Sequence, residues 1–169
     1  MPLYFAYGSN MSPRQIQRRC PGAQAVGAAV LQNWSFLIPA GRGANVRPMR
    51  GGVVHGVVWR VTGPHVAALD QWEGTRAGAY RRVLLPIELD DRRTFAITYV
   101  SDRTWPGREP GRGRANYILT AVLPGAAAFA LPQPYREEIR AWLGRRPIGP
   151  TKQVYVGRRS RKRRRIRAV

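Results

Sequence analysis

The stretch GGVVHGVVWRV, residues 51–61, constrains the fold of this chain more than any other. Runs of β-branched and aromatic residues such as this one suit a pleated sheet better than a helix. Four further segments share its character: AQAVGAAVL (23–31), NWSFLIPA (33–40), YRRVLLPIEL (80–89) and TFAITYVS (94–101). A short strand, YFAY at residues 4–7, precedes them all. Several alternate or run apolar between Gly, Pro and Asp turns, as strands of a closed or strongly curved sheet do. They do not alternate regularly with helices, which argues against a doubly wound parallel sheet. The class is α+β.

Helices are expected at the edges. In MSPRQIQRRCPG, Ser12 reads as an N-cap and Pro13 as the first helical residue, with a stop at Pro21-Gly22. In GPHVAALDQWEG, Thr62 or Gly63 can cap, Pro64 suits the first turn, and Gly74 supplies the C-terminal stop. RANYILTAVLPGAAAFAL predicts a helix broken at Pro124-Gly125, and PYREEIRAWLG one that ends at Gly144. Glycines around 41–52 and 107–113 mark loops, and neither set has the setting of a phosphate or dinucleotide loop. One domain, residues 1–157, is followed by a basic tail at 158–169 with the composition of an unfolded segment.

Composition excludes several classes. One cysteine, Cys20, allows no internal disulfide and fits a reducing compartment. With two histidines, His55 and His65, and nine acidic residues in all, no metal site is expected. No signal-peptide pattern and no apolar run long enough to span a bilayer is present, so a cytoplasmic location is expected. The charge is +20, with 29 basic residues against nine acidic ones. Eight of the basic residues fall in RRSRKRRRIR, residues 158–167; without those eight the +20 drops to +12, so the body is basic too. Only Lys152 and Lys162 are lysines, and such an arginine bias also arises from a G+C-rich genome. A solvated tail and a non-specific contact with nucleic acid or another polyanion both fit.

Two short stretches carry chemistry. The first strand ends in Tyr7-Gly8-Ser9-Asn10-Met11, a turn rich in small residues, hydroxyl and amide groups, and accessible backbone donors. It reads either as an ordinary turn or as a cradle for an anion. The second, LDQWEGTRAGAY, puts Glu73 in the last turn of its helix, facing the negative end of the dipole. Asp70 stands three residues earlier on nearly the same face; the dipole and the repulsion between the two anions both favour a protonated Glu73, more so if it points into a pocket. Such a carboxyl can accept a proton and return it, or simply sit on the surface of an imperfect helix.

Taken together, YFAYGSNM, GVVWRV and LDQWEGTRAGAY resemble the gamma-glutamylcyclotransferase family, and NYILTAVLPGAAAFALPQPYREEI is similar to its closing segment. The likeness covers about residues 3–143. It implies a small mixed β-barrel with peripheral α-helices and a cofactor-free conversion of a gamma-glutamyl amino acid or amine to 5-oxoproline plus the free amine. By that resemblance Glu73 is the general acid and base, moving a proton between two nitrogens. Tyr7, Gly8, Ser9, Asn10 and Met11 hold the substrate's carboxylate and oxyanion, and Tyr117 covers or hydrogen-bonds the glutamyl group. Tyr117 reads equally as a core tyrosine, and Tyr80 either matches the family pattern or packs on its strand. Ser12, and the bulky Gln71-Trp72 before Glu73, depart from the family's pattern. Monomer and homodimer both remain open, as does a non-catalytic binding protein of this fold that associates with nucleic acid through its tail.

Overall fold

In the computed structural model, the structure describes residues 1–39, 43–102 and 112–144, with the side chains of 112–114 left out. The tail expected at 158–169 and the glycine loop at 107–111 lie outside the described residues. Five strands close into a barrel: β1 (Leu3–Ala6), β2 (Gln24–Leu37), β3 (Asn45–Arg60), β4 (Arg81–Leu89) and β5 (Arg92–Val100), in the order β1-β3-β2-β4-β5. All pairings are antiparallel except β1 with β5, where Tyr4 opposite Ile97 closes the ring. Closure removes the exposed edges that an open sheet of this length would offer to other chains. Phe5, Leu31, Val57, Val58, Trp59 and Ile87, each at most 2% exposed, belong to a core that lies on both faces of the barrel wall, since successive residues of a strand point to opposite sides. At about 25 cal/mol per Å² of apolar surface removed from water, these side chains are the main stabilising contribution.

Two expectations about the sheet need correction. AQAVGAAVL and NWSFLIPA are not separate strands but one, β2, because Asn33 takes a left-handed backbone (φ 64°) and makes a bulge instead of a turn. Its Oδ1 accepts the Gly51 N–H at 3.0 Å across the ladder. Gly51 and Gly52 therefore lie inside β3 and not in a loop. A Cβ on Gly52 would meet the Trp34 carbonyl oxygen at 2.5 Å, so the glycine lets the bulged strand approach. At the other hairpin, Asp90 and Asp91 both have positive φ, which suits the two-residue turn joining β4 to β5.

The helices pack around this barrel. They are α1 (Pro13–Arg19), α2 (Gly63–Trp72), α3 (Arg112–Tyr117), α4 (Leu123–Ala128) and α5 (Gln133–Ala141). Thr62 caps α2, its hydroxyl accepting the His65 N–H at 3.4 Å, whereas Ser12 precedes α1 without a side-chain cap. The break expected at Pro124-Gly125 does not occur. A π turn over Ile118–Val122 carries α3 directly into α4, with the Leu123 N–H reaching the Ile118 carbonyl five residues back. Widening the turn just before Pro124 relieves the missing N–H and the ring clash that a proline imposes on α geometry. Gly125 then lies on the chain at residues 11–12, where a Cβ would stand 2.6 Å from the Ser12 nitrogen. Among the described residues no helix is long and apolar enough to cross a membrane.

Candidate active site

Gly8 leaves β1 and leads into one 3-10 turn, Ser9–Met11, in which the Met11 N–H donates to the Gly8 carbonyl at 3.0 Å. The turn is buried, with Asn10 4% exposed and Met11 fully enclosed. A Cβ at residue 8 would lie 2.8 Å from the Tyr117 hydroxyl and 3.1 Å from the Ala44 Cβ. Glycine there is what lets the start of β3 and the end of α3 close on the turn.

Buried polar groups need partners, and here they find one another. The backbone N–H groups of Ser9 and Ala44 both donate to the Tyr117 hydroxyl oxygen, at 3.2 and 3.1 Å. Two backbone donors converging on one oxygen is the geometry that also receives a carboxylate or an oxyanion. The Tyr80 hydroxyl donates to the Ala44 carbonyl at 3.0 Å, and Gln15 Nε2 donates to Ser9 Oγ at 2.6 Å. The Tyr7 hydroxyl donates to the Tyr99 carbonyl. Burial pushes the hydroxyls of Tyr4, Tyr7 and Tyr117 above the ordinary tyrosine range, so all three are neutral near pH 7.

Glu73 arrives from α2 by a defined helix end. The Gly74 N–H donates to the Gln71 carbonyl, the Thr75 N–H to the Asp70 carbonyl, and Gly74 has φ 63°, which together form a Schellman stop. Glu73, the C-cap, is thereby aimed toward the turn, where Asn10 Nδ2 donates to its Oε1 at 3.3 Å. Arg19 Nη1 stands 3.5 Å from the same oxygen. Burial pushes the Glu73 carboxyl above its ordinary value; the Arg19 charge and the Asn10 hydrogen bond pull against that without cancelling it. The direction agrees with the expectation from sequence, and burial, not the neighbouring Asp70, is the main cause. Asp70 points away, accepting Arg82 Nη1 at 2.8 Å and the Tyr99 hydroxyl at 2.8 Å, so it is not what raises Glu73.

Among the residues singled out in the sequence, Gly8, Ser9, Asn10, Glu73 and Tyr117 meet in one connected cluster. The Tyr7 hydroxyl lies near enough for Glu73 and Tyr117 to bear on it, though it is committed to Tyr99. Met11 contributes its side chain to the core and its N–H to the turn. Three members were not foreseen: Tyr4, whose hydroxyl accepts from Asn10 at 2.8 Å, Arg19 and Ala44. Ala44 enters through its backbone N–H, which residue type does not reveal. Among the described residues no three His, Cys, Asp or Glu side chains gather as metal ligands.

Fold and site together define a small closed-barrel α+β domain that sets converging backbone donors beside one largely buried carboxyl. The chain belongs to the family described as gamma-glutamyl cyclotransferase, AIG2-like, whose model matches residues 4–117. It is similar to the gamma-glutamylcyclotransferase of Mus musculus, at 31% identity over 149 residues covering 82% of this chain and 77% of the mouse protein. The Homo sapiens gamma-glutamylcyclotransferase is 26% identical over the same shares. A solved structure of a gamma-glutamyl cyclotransferase superposes with a TM-score of 0.73 at 25% identity, covering 94% of this chain and 93% of the other.

Proposed function

We propose that this protein is a cofactor-free gamma-glutamylcyclotransferase, releasing 5-oxoproline and a free amine from a gamma-glutamyl amino acid or amine. The observation that carries the reading is Glu73, a largely buried carboxyl (side chain 17% exposed) of raised pKa beside the Ser9 and Ala44 donors.

The reaction needs no outside reactant. The neutral α-amine of the glutamyl unit attacks its own γ-carbonyl carbon, and a nitrogen–carbon bond forms as the carbonyl oxygen becomes an oxyanion. Glu73 takes a proton from the attacking nitrogen and gives it to the leaving nitrogen. The original amide bond then breaks, the carbonyl re-forms, and no net proton is consumed. Holding the glutamyl chain folded recovers part of an effective molarity that reaches ~10⁵ M or more for well-oriented intramolecular attack. The Ser9 and Ala44 N–H groups serve the oxyanion or the α-carboxylate, at a position now marked by the Tyr117 hydroxyl. Donors so placed typically contribute ~10²–10³-fold.

Chromatographic detection of 5-oxoproline from gamma-glutamyl-alanine tests the reading, and release of equimolar alanine is expected. Tight binding of the compound with no 5-oxoproline formed would leave a binding protein on this fold instead.

A further inference from the structure

Arg19 is the last residue of α1, where a cation complements the helix dipole and would ordinarily reach into solvent. Instead its side chain is 19% exposed and held from three sides. The guanidinium lies over the Trp72 ring, 4.8 Å from the centroid. Its Nη1 donates to Asn10 Oδ1 at 2.9 Å and stands 3.5 Å from Glu73 Oε1. Asn10 is fixed in turn, its oxygen toward Arg19 and its nitrogen shared between Tyr4 and Glu73. Trp72 itself is 61% exposed, an indole left in solvent beside the carboxyl with the guanidinium stacked on it. That placement has a use if the ring is there to immobilise a cation.

We propose that Arg19, clamped against Trp72, is a positioning residue that sets the orientation and charge state of Glu73 and locks the Asn10 amide between them. The proposal rests on the proton-relay reading of Glu73. The groups that bear on the carboxyl come from several elements: Tyr4 and Tyr7 at β1, Asn10 on the turn, Arg19 on α1, Tyr99 on β5 and Tyr117 at the end of α3. Asp70, on the same helix, is engaged by Arg82 and Tyr99. The tyrosines are neutral, so Arg19 is the cation, among the described residues, that opposes the effect of burial on Glu73. Removing its charge leaves burial less opposed and moves the Glu73 titration upward.

The test uses the full chain and two readouts, the NMR titration of the Glu73 carboxyl carbon and the pH profile of kcat/KM for 5-oxoproline release. Arg19→Gln is expected to move the Glu73 titration and the acid limb of kcat/KM upward by on the order of one pH unit. Below the limb that is about a tenfold loss of rate. Arg19→Lys, which keeps the charge, should restore most of the titration while kcat stays low because the guanidinium's hydrogen bond to Asn10 is gone. Arg18→Gln, an exposed neighbour on α1, should move neither readout. An unshifted Glu73 titration in Arg19→Gln would overturn the proposal, as would an equal shift in Arg19→Lys. If Arg19→Gln does not fold, Trp72→Leu decides: a smaller upward shift supports the clamp, and none overturns it. The titration is independent of turnover, so a wild-type protein that makes no 5-oxoproline would defeat the reading of the activity while still reporting on Arg19.

Discussion

The Tyr117 hydroxyl accepts the backbone N–H of Ser9 at 3.2 Å across 108 residues of chain, tying the end of α3 to the turn that follows β1. The same oxygen accepts the Ala44 N–H at 3.1 Å, so one phenol fastens three separate segments. Tyr117→Phe keeps the ring and removes the acceptor, leaving two donors short of a partner. Unsatisfied buried donors cost about 1–3 kcal/mol. Urea unfolding should show a loss of that order, and an unchanged midpoint would mean that water replaces the hydroxyl without penalty.

Gly125 supports the same joint from behind. An alanine there would press its Cβ to 2.6 Å from the Ser12 nitrogen and 2.7 Å from the Met11 carbonyl carbon, both backbone atoms that cannot swing aside. Gly125→Ala should therefore cost about 1–3 kcal/mol or more and displace the turn. Thermal unfolding and 5-oxoproline release should fall together. Full stability with full turnover would show that α4 does not set the position of the turn.

The strands were readable in the sequence because apolar β-branched runs between Gly, Pro and Asp leave few alternatives to a curved sheet. What misled was local: Asn33 and Gly51-Gly52 look like turn residues, yet a left-handed Asn and two glycines also make a bulge within a long hairpin. Pro124-Gly125 looks like a break, and a π turn absorbs it. At the site, residue type pointed to Glu73 and to the turn of Gly8, Ser9 and Asn10, whereas Tyr117 came only from the family resemblance. Arg19 was hidden among the arginines of α1, because its role depends on the distance to Asn10 and Glu73 and not on its spacing along the helix. Of the causes assigned to the raised Glu73 pKa, a pocket around the carboxyl agrees with its burial, whereas the part given to Asp70 was misplaced, since three-residue spacing says nothing of the Arg82 and Tyr99 that draw Asp70 away.

Glu73 also couples stability to pH. Its pKa is higher in the folded chain than in the unfolded one, so the stability it contributes is fully present below the ordinary glutamate range. That contribution is lost as pH rises through the folded-state pKa. Glu73→Gln removes the penalty of a buried anion and should be at least as stable as the wild type at pH 8. Its advantage should vanish toward pH 4. Denaturant midpoints at both values check this, and a variant less stable at pH 8 than at pH 4, relative to wild type, would reverse the sign.

The run RRSRKRRRIR follows every residue of the site cluster in the sequence. Truncation after Gly157 should leave turnover unchanged and weaken salt-sensitive retention on heparin or RNA, since eight basic residues go with it. Retention equal to the full chain would assign that adhesion to the basic body.

The most direct measurement is made on Glu73→Gln, following 5-oxoproline release and the affinity for gamma-glutamyl-alanine side by side. Glutamine keeps the reach toward Asn10 and Arg19 but cannot take a proton from the attacking amine. General acid–base contributions are typically ~10²–10⁴-fold, so turnover should fall by at least about a hundredfold while binding stays near wild type. The Ser9 and Ala44 donors are untouched, and an anionic substrate meets one negative charge fewer. Near-normal turnover in Glu73→Gln would contradict the mechanism, and loss of binding together with turnover would make Glu73 a structural residue.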